Sequence, residues 1–123
     1  MSTDRQAIIE TSLSWVGTPI AKTTPLAWAV DVLIKGGSLP AGDYQHANVT
    51  YIMAELVDAG MTYRRGTWPE PGDMFIHHVD GERSLAFIVG VGELVFVSYT
   101  RQKIVKGAPM DIEGRHAKVW VLP

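Results

Sequence analysis

The sequence has no cysteine, which excludes disulfides, thiolate metal sites and a cysteine nucleophile for the chain as it stands. It also lacks an excess of charge of either sign. Eleven Lys and Arg against thirteen Asp and Glu leave a formal charge of −2, so there is no basic face for nucleic acid and no polybasic patch for an anionic membrane. No apolar run approaches the ~20 residues of a membrane span. The N-terminus, Met1 to Gln6, opens into an amphipathic helix rather than the basic-then-apolar layout of an export signal. The expectation is a soluble chain without signal peptide or transmembrane segment, either cytoplasmic or virion-associated. Repeats, linkers and low-complexity tracts are missing as well.

What is present suffices for one compact domain over residues 1–123. A chain of 123 residues, 46% of them hydrophobic, buries roughly two thirds of its unfolded surface. The most ordered stretch runs from Pro69 to Tyr99 and reads as three successive antiparallel strands. A short apolar run, Met74 to Ile76, meets the turn Val79-Asp80-Gly81-Glu82, whose Asp-Gly pair suits the positive φ of a hairpin. Leu85 to Val91 follows, Gly92-Glu93 reverses the chain, and Leu94 to Tyr99 supplies a third run rich in β-branched and aromatic residues.

Upstream of it the periodicity predicts helices. Thr3 and Gln6 have capping-box spacing, and Ile9, Leu13 and Val16 share a face of a helix from about Asp4 to Val16, closed by Gly17. Thr24-Pro25 offers an N-cap and first-turn proline to a second helix, Leu26 to Lys35. That helix is apolar on nearly every side, with Asp31 and Lys35 as its only charges, which predicts a central position. Ser38 to Ala47 reads as a surface loop able to wall a groove. Asn48 caps a third helix carrying Val49, Ile52, Met53 and Leu56 and ending at Gly60. Met61 to Trp68 reads as a connector. Gln102 to Val105 and Lys118 to Leu122 complete the chain as strands, with Gly107, Pro109 and Gly114 in the loop between them. The expected fold class is α+β: N-terminal helices packed on a five-stranded antiparallel, barrel-like sheet, with the second helix on its inner face.

The order of these parts is similar to the NlpC-type cell-wall peptidases and the related CHAP amidases, small papain-like cysteine hydrolases of peptidoglycan. Three segments carry the resemblance. Leu13-Ser14-Trp15-Val16-Gly17-Thr18-Pro19 resembles the family's first-helix ending, Ala-Leu-x-x-Val-Gly-x-Pro. Glu70-Pro71-Gly72-Asp73-Met74-Phe75 resembles its Gln-Pro-Gly-Asp-Leu-Val strand entry. Ser84 to Gly92 resembles His-Val-Gly-Ile-Tyr-Val-Gly-Asn-Gly, with Glu93 to Ser98 standing where those enzymes have Met-Ile-His-Ala-Ser. The resemblance implies a papain-like α+β fold over almost the whole chain, and a peptidoglycan fragment or a protein as partner.

It also identifies what has been replaced. These enzymes carry a nucleophilic Cys at the start of the second helix, where the helix dipole and a nearby His favour the thiolate. Leu26 falls there in one alignment and Ala27 in another, and neither can attack a carbonyl. Ser84 stands where the family has its general-base His, and Ser98 aligns with the third, orienting position. An engineered Cys-to-Ala change at Ala27 would leave the His in place, whereas loss of both groups describes a natural pseudoenzyme. If the hairpin is longer than Met74 to Val91 suggests, His77 or His78 could point toward the second helix and restore the first explanation. The expectation is therefore a non-catalytic binding or structural module of a phage tail or cell-wall assembly. Its alternatives are an inactivated endopeptidase or amidase and a plain protein-interaction domain.

The remaining candidates have plainer readings. His77 and His78, adjacent in a strand, face opposite ways, so at most one serves any site, and a solvent position at the hairpin end is the commoner case. His46 and His116 fall in loops without ligand spacing to Asp73 or Asp80, so neither a metal nor a cofactor is expected. Trp15, Trp28 and Trp120 lie on apolar faces and read as core. Trp68, with Tyr63, Arg64 and Arg65 nearby, reads as a groove residue, and Tyr63, Asp73, His77 and His78 complete the candidate groove set. Asp31 reads as the solvent edge of its helix and Asp73 as a turn holder.

Overall fold

Glycines and prolines cut the chain into short elements, and a computed structural model shows how they assemble. It describes residues 3–21, 24–64, 68–112 and 114–123. Three helices come first: α1 (Arg5–Ser14), α2 (Thr24–Lys35) and α3 (Val49–Asp58). Six strands follow: β1 (Thr62–Tyr63), β2 (Met74–Val79), β3 (Glu82–Gly90), β4 (Glu93–Ser98), β5 (Lys103–Gly107) and β6 (Arg115–Val121), with one 3-10 turn at Pro109–Asp111. The strands form a single antiparallel sheet in the order β1-β6-β2-β3-β4-β5. The class is α+β, as expected. The sheet, however, has six strands and is open, not five-stranded and barrel-like.

The sixth strand lies in what reads as a connector. Thr62 and Tyr63 pair with Val121 and Trp120 at the sheet edge, a strand too short to show alternation. Arg65, expected beside Trp68, lies outside the described residues. The last strand begins at Arg115 rather than Lys118, so the backbone of His116 belongs to β6, opposite His77, and not to a loop.

α1 departs most from expectation. Its N-cap is Asp4, whose carboxylate accepts from the Ala7 N–H at 3.1 Å; Thr3 instead hydrogen-bonds Ser38 at 2.8 Å. Its buried residues are Ile8 and Ser12, while Leu13 and Val16 are 41% and 42% exposed. One small residue explains the choice of face. A Cβ on Gly36 would lie 2.7 Å from Ile8 Cγ1, so the glycine ending α2 makes room for the isoleucine. Trp15, read as core, is only partly buried, and its indole N–H donates to Asp31 at 2.7 Å.

α2 takes its predicted central place. Trp28, Ala29, Val32 and Leu33 are buried, and Trp28 stacks edge-on against Phe87 of β3 at a centroid separation of 5.3 Å. One face of the sheet, with Met74, Ile76, Leu85, Phe87, Val95, Val97 and Ile104, packs on the helices. The other face forms a second cluster, Phe75, Ala86, Ile88, Leu94, Phe96 and Val105, joined by Ile112 from the loop before β6. The β2–β3 hairpin turns at Asp80 (φ 50°) and Gly81 (φ 81°), as the Asp-Gly pair predicts. It is longer than the sequence suggests, pairing Val79 with Glu82 and His77 with Ser84.

After α1 the connector runs along β5: Gly17 N–H donates to Ile104 O, Ile104 N–H to Thr18 O, and Ile20 N–H to Gln102 O, at 2.7, 2.9 and 3.1 Å. Next to β6, Gly114 has φ 81° and a Cβ there would collide with the His78 carbonyl. Gly114→Ala is expected to cost about 2 kcal/mol or more in urea unfolding, since a rigid backbone atom and a positive φ both oppose the side chain.

Candidate functional site

A cleft of about 1140 Å³ opens where α2 begins. Its floor is the start and outer side of α2: Pro25, Leu26, Ala27, Val30, Asp31 and Ile34. One wall is the loop from Gly42 to Ala47 with the first turn of α3, Asn48 to Thr50, and the other is Glu82 to Leu85 of β3 with Tyr99. The loop predicted to wall a groove thus does so. Its shape is fixed locally. Tyr44 donates its hydroxyl to Pro40 O at 2.7 Å, and the Asp43 carboxylate accepts from the Gln45 N–H at 2.9 Å. Burial pushes the Tyr44 phenol above its usual pKa, with the Glu55 carboxylate and Tyr51 adding to the rise. Asn48 caps α3 as predicted, accepting from the Tyr51 N–H at 2.8 Å.

The residues at the expected catalytic positions are only partly brought together. Leu26 and Ala27 both line the cleft. Ser84 borders it as part of the β3 wall, but strand alternation puts its hydroxyl on the far side of the sheet with Ala86 and Ile88. There it stands opposite His77 of β2, and its oxygen is buried without a hydrogen-bond partner among the described residues. Ser98 shares that far face and accepts from the Arg101 N–H at 3.1 Å, holding the turn into β5. The resemblance places Ser84 at the start of its strand; it is the third residue of β3, and by alternation it faces away from the helices.

The candidate groove residues are dispersed. His77, expected in solvent, is fully buried in the middle of the hairpin. His78 lies on the helix-facing side opposite Arg83, half-buried, and is not part of the cleft lining. Tyr63 packs on Trp120 at 5.6 Å, with Lys118 Nζ 4.9 Å from its ring centre. Trp68 is 90% exposed and lies outside the cleft. Asp73 is wholly buried and holds its turn by accepting from the Glu70 N–H at 2.8 Å. It also binds two guanidinium groups, Arg5 at 2.8 Å and Arg64 at 2.6 Å. The bond to Asp73 holds the Arg64 pKa above its usual value, against the opposing effect of burial.

Two cleft residues escaped the sequence reading. Arg83 sits on the cleft side of β3, where alternation from Leu85 and Phe87 would have placed it, and donates from Nη2 to the Thr50 hydroxyl. It makes no ion pair among the described residues. The sequence offers no signal for Thr50 beyond its place after a helix cap.

No group of three metal-ligating side chains occurs among the described residues, and no described helix is long and apolar enough to cross a membrane. Neither a protein-family model nor a curated protein matches the chain.

Proposed function

We propose that the chain is a non-catalytic module of the NlpC type that binds an extended peptide, a peptidoglycan stem peptide or a segment of a protein partner, within a phage tail or cell-wall assembly. One observation carries this reading. The cleft sits at the N-terminus of α2, yet Leu26 and Ala27 occupy the helix positions where the resembling enzymes hold their thiolate. Support comes also from the order of elements, helices followed by an antiparallel sheet, and from the mixed apolar and polar lining suited to a peptide. Calorimetric titration with muropeptides is expected to give saturable heats. Flat heats across the mixture would remove the wall-binding reading.

An endopeptidase or amidase silenced by a Cys-to-Ala change at Ala27 fits less well. His77 lies on the far face of the sheet and His78 outside the cleft lining, so neither supplies the missing base. His46, on the loop wall, makes no hydrogen bond to a cleft hydroxyl among the described residues. The Ala27→Cys protein is accordingly expected to fold and to leave no clearing in a peptidoglycan zymogram, because an unassisted thiol at neutral pH is a few per cent ionised. A cleared band would reinstate the hydrolase.

A further inference from the structure

A row of basic residues crosses the sheet at the end of the β2–β3 hairpin. Arg83 of β3 is in register with His78 of β2, and His78 on its other side with Arg115 of β6. Directly opposed residues of antiparallel strands share a face. For Arg83 and His78 it is the helix-facing one, by alternation from Leu85 and Ile76. Opposed like charges destabilise a sheet, and a row whose members can all be cationic calls for a counter-charge. The described residues supply none. Glu82 alternates to the far side, Asp80 forms the turn, and no carboxylate makes an ion pair with Arg83 among the described residues. One guanidinium N–H goes to the neutral Thr50 hydroxyl, which fixes the group and leaves its other donors uncommitted. His78, half-buried, makes no hydrogen bond or ion pair among the described residues.

We infer that this row binds a phosphoryl group, seated over His78 between Arg83 and the register position of Arg115. The inference stands apart from the peptide reading, because His78 lies outside the cleft lining. A carboxylate has two oxygens in one plane and is satisfied by a single guanidinium fork. A phosphoryl group offers three strong acceptor oxygens in different directions, so it can take donors from neighbouring strands and from the imidazole between them at once. Phosphate itself and a phosphate monoester share this chemistry.

The test titrates the full chain with inorganic phosphate, glycerol 3-phosphate and acetate at constant ionic strength, by calorimetry and by the imidazole proton resonances. The His78 resonance is assigned by its loss in His78→Gln. Both phosphates are expected to bind saturably, about tenfold more tightly than acetate, and to move the His78 resonance. The tighter of the two identifies free phosphate or its ester as the natural form. Arg83→Gln should weaken phosphate about tenfold with an unchanged circular dichroism spectrum. The comparison of phosphate with acetate on the native chain decides even if a variant fails to fold. Acetate binding as tightly as phosphate would overturn the inference. So would phosphate binding that Arg83→Gln leaves unchanged, or that moves only other histidines. Binding of muropeptides with no binding of either phosphate would remove this site and leave the peptide module standing.

Discussion

Replacing Asp73 with asparagine is expected to lower folding stability by about 3 kcal/mol, read as a fall in the urea midpoint, because a buried charge pair loses one partner while the other stays in place. Asp73 is fully buried and its two oxygens serve three groups: Arg5 of α1, Arg64 just after β1, and the Glu70 N–H of the turn before β2. Arg64 reaches both oxygens, at 2.6 and 3.1 Å. Arg5 also donates to Pro71 O at 2.6 Å, so the carboxylate ties the first helix and the sheet edge to one turn. The asparagine keeps the size but offers one acceptor oxygen and no charge, leaving two guanidinium groups facing an amide. Arg5 is 37% exposed and keeps part of its hydration, which holds the loss below that of a fully buried pair. Glu70→Gln is the contrast. That carboxylate is 63% exposed and 3.3 Å from Arg64, so its removal should stay within about 0.5 kcal/mol. Equal losses from the two variants would refute the assignment of the network's energy to Asp73.

Trp28→Ala is expected to have the largest effect, a loss of about 4 kcal/mol and possible only as a marginal fold, since truncating a buried tryptophan combines lost apolar transfer with a cavity. Trp28 is fully buried at the centre of α2 and edge-on to Phe87, joining the helix layer to the middle of the sheet. Its indole N–H has no hydrogen-bond partner among the described residues. Trp28→Phe removes that unsatisfied donor along with part of the ring, so it should cost only about 1 kcal/mol. A phenylalanine variant as unstable as the alanine one would mean that the indole N–H is engaged after all.

The parts of the fold that could be read from the sequence are those where local chemistry and tertiary packing ask for the same residue. Asp80-Gly81 makes the hairpin turn, Asn48 caps α3, and the apolar character of α2 carries Trp28, Ala29, Val32 and Leu33 into the core. The periodicity of α1 fits two faces, and the structure buries the less hydrophobic one. Leu13 and Val16 are the more hydrophobic choice, but close contact with α2 at Gly36 favours Ile8 and Ser12. Of the candidate site, the second helix's first turn and the loop after it line the cleft, whereas Trp68, Tyr63, Asp73, His77 and His78 do not, because strand facing and the ends of elements decide where those side chains go. A one-residue difference in strand parity sends Ser84 to the far face and brings Arg83 to the cleft, and a motif comparison carries no information about parity.

The connector running along β5 has a consequence for the molecule's behaviour in concentrated solution. An open sheet has two borders at which another chain's backbone can dock and propagate. At one border, the residues from Gly17 to Ile20 already occupy the hydrogen-bonding groups of Ile104 and Gln102, with Pro19 facing Lys103 and offering no donor of its own. At the other, β1 is only Thr62–Tyr63, too short to template a growing ribbon. The segment between the first two helices therefore acts as a guard against self-association, protecting a sheet rich in valine, isoleucine and phenylalanine from stacking edge to edge.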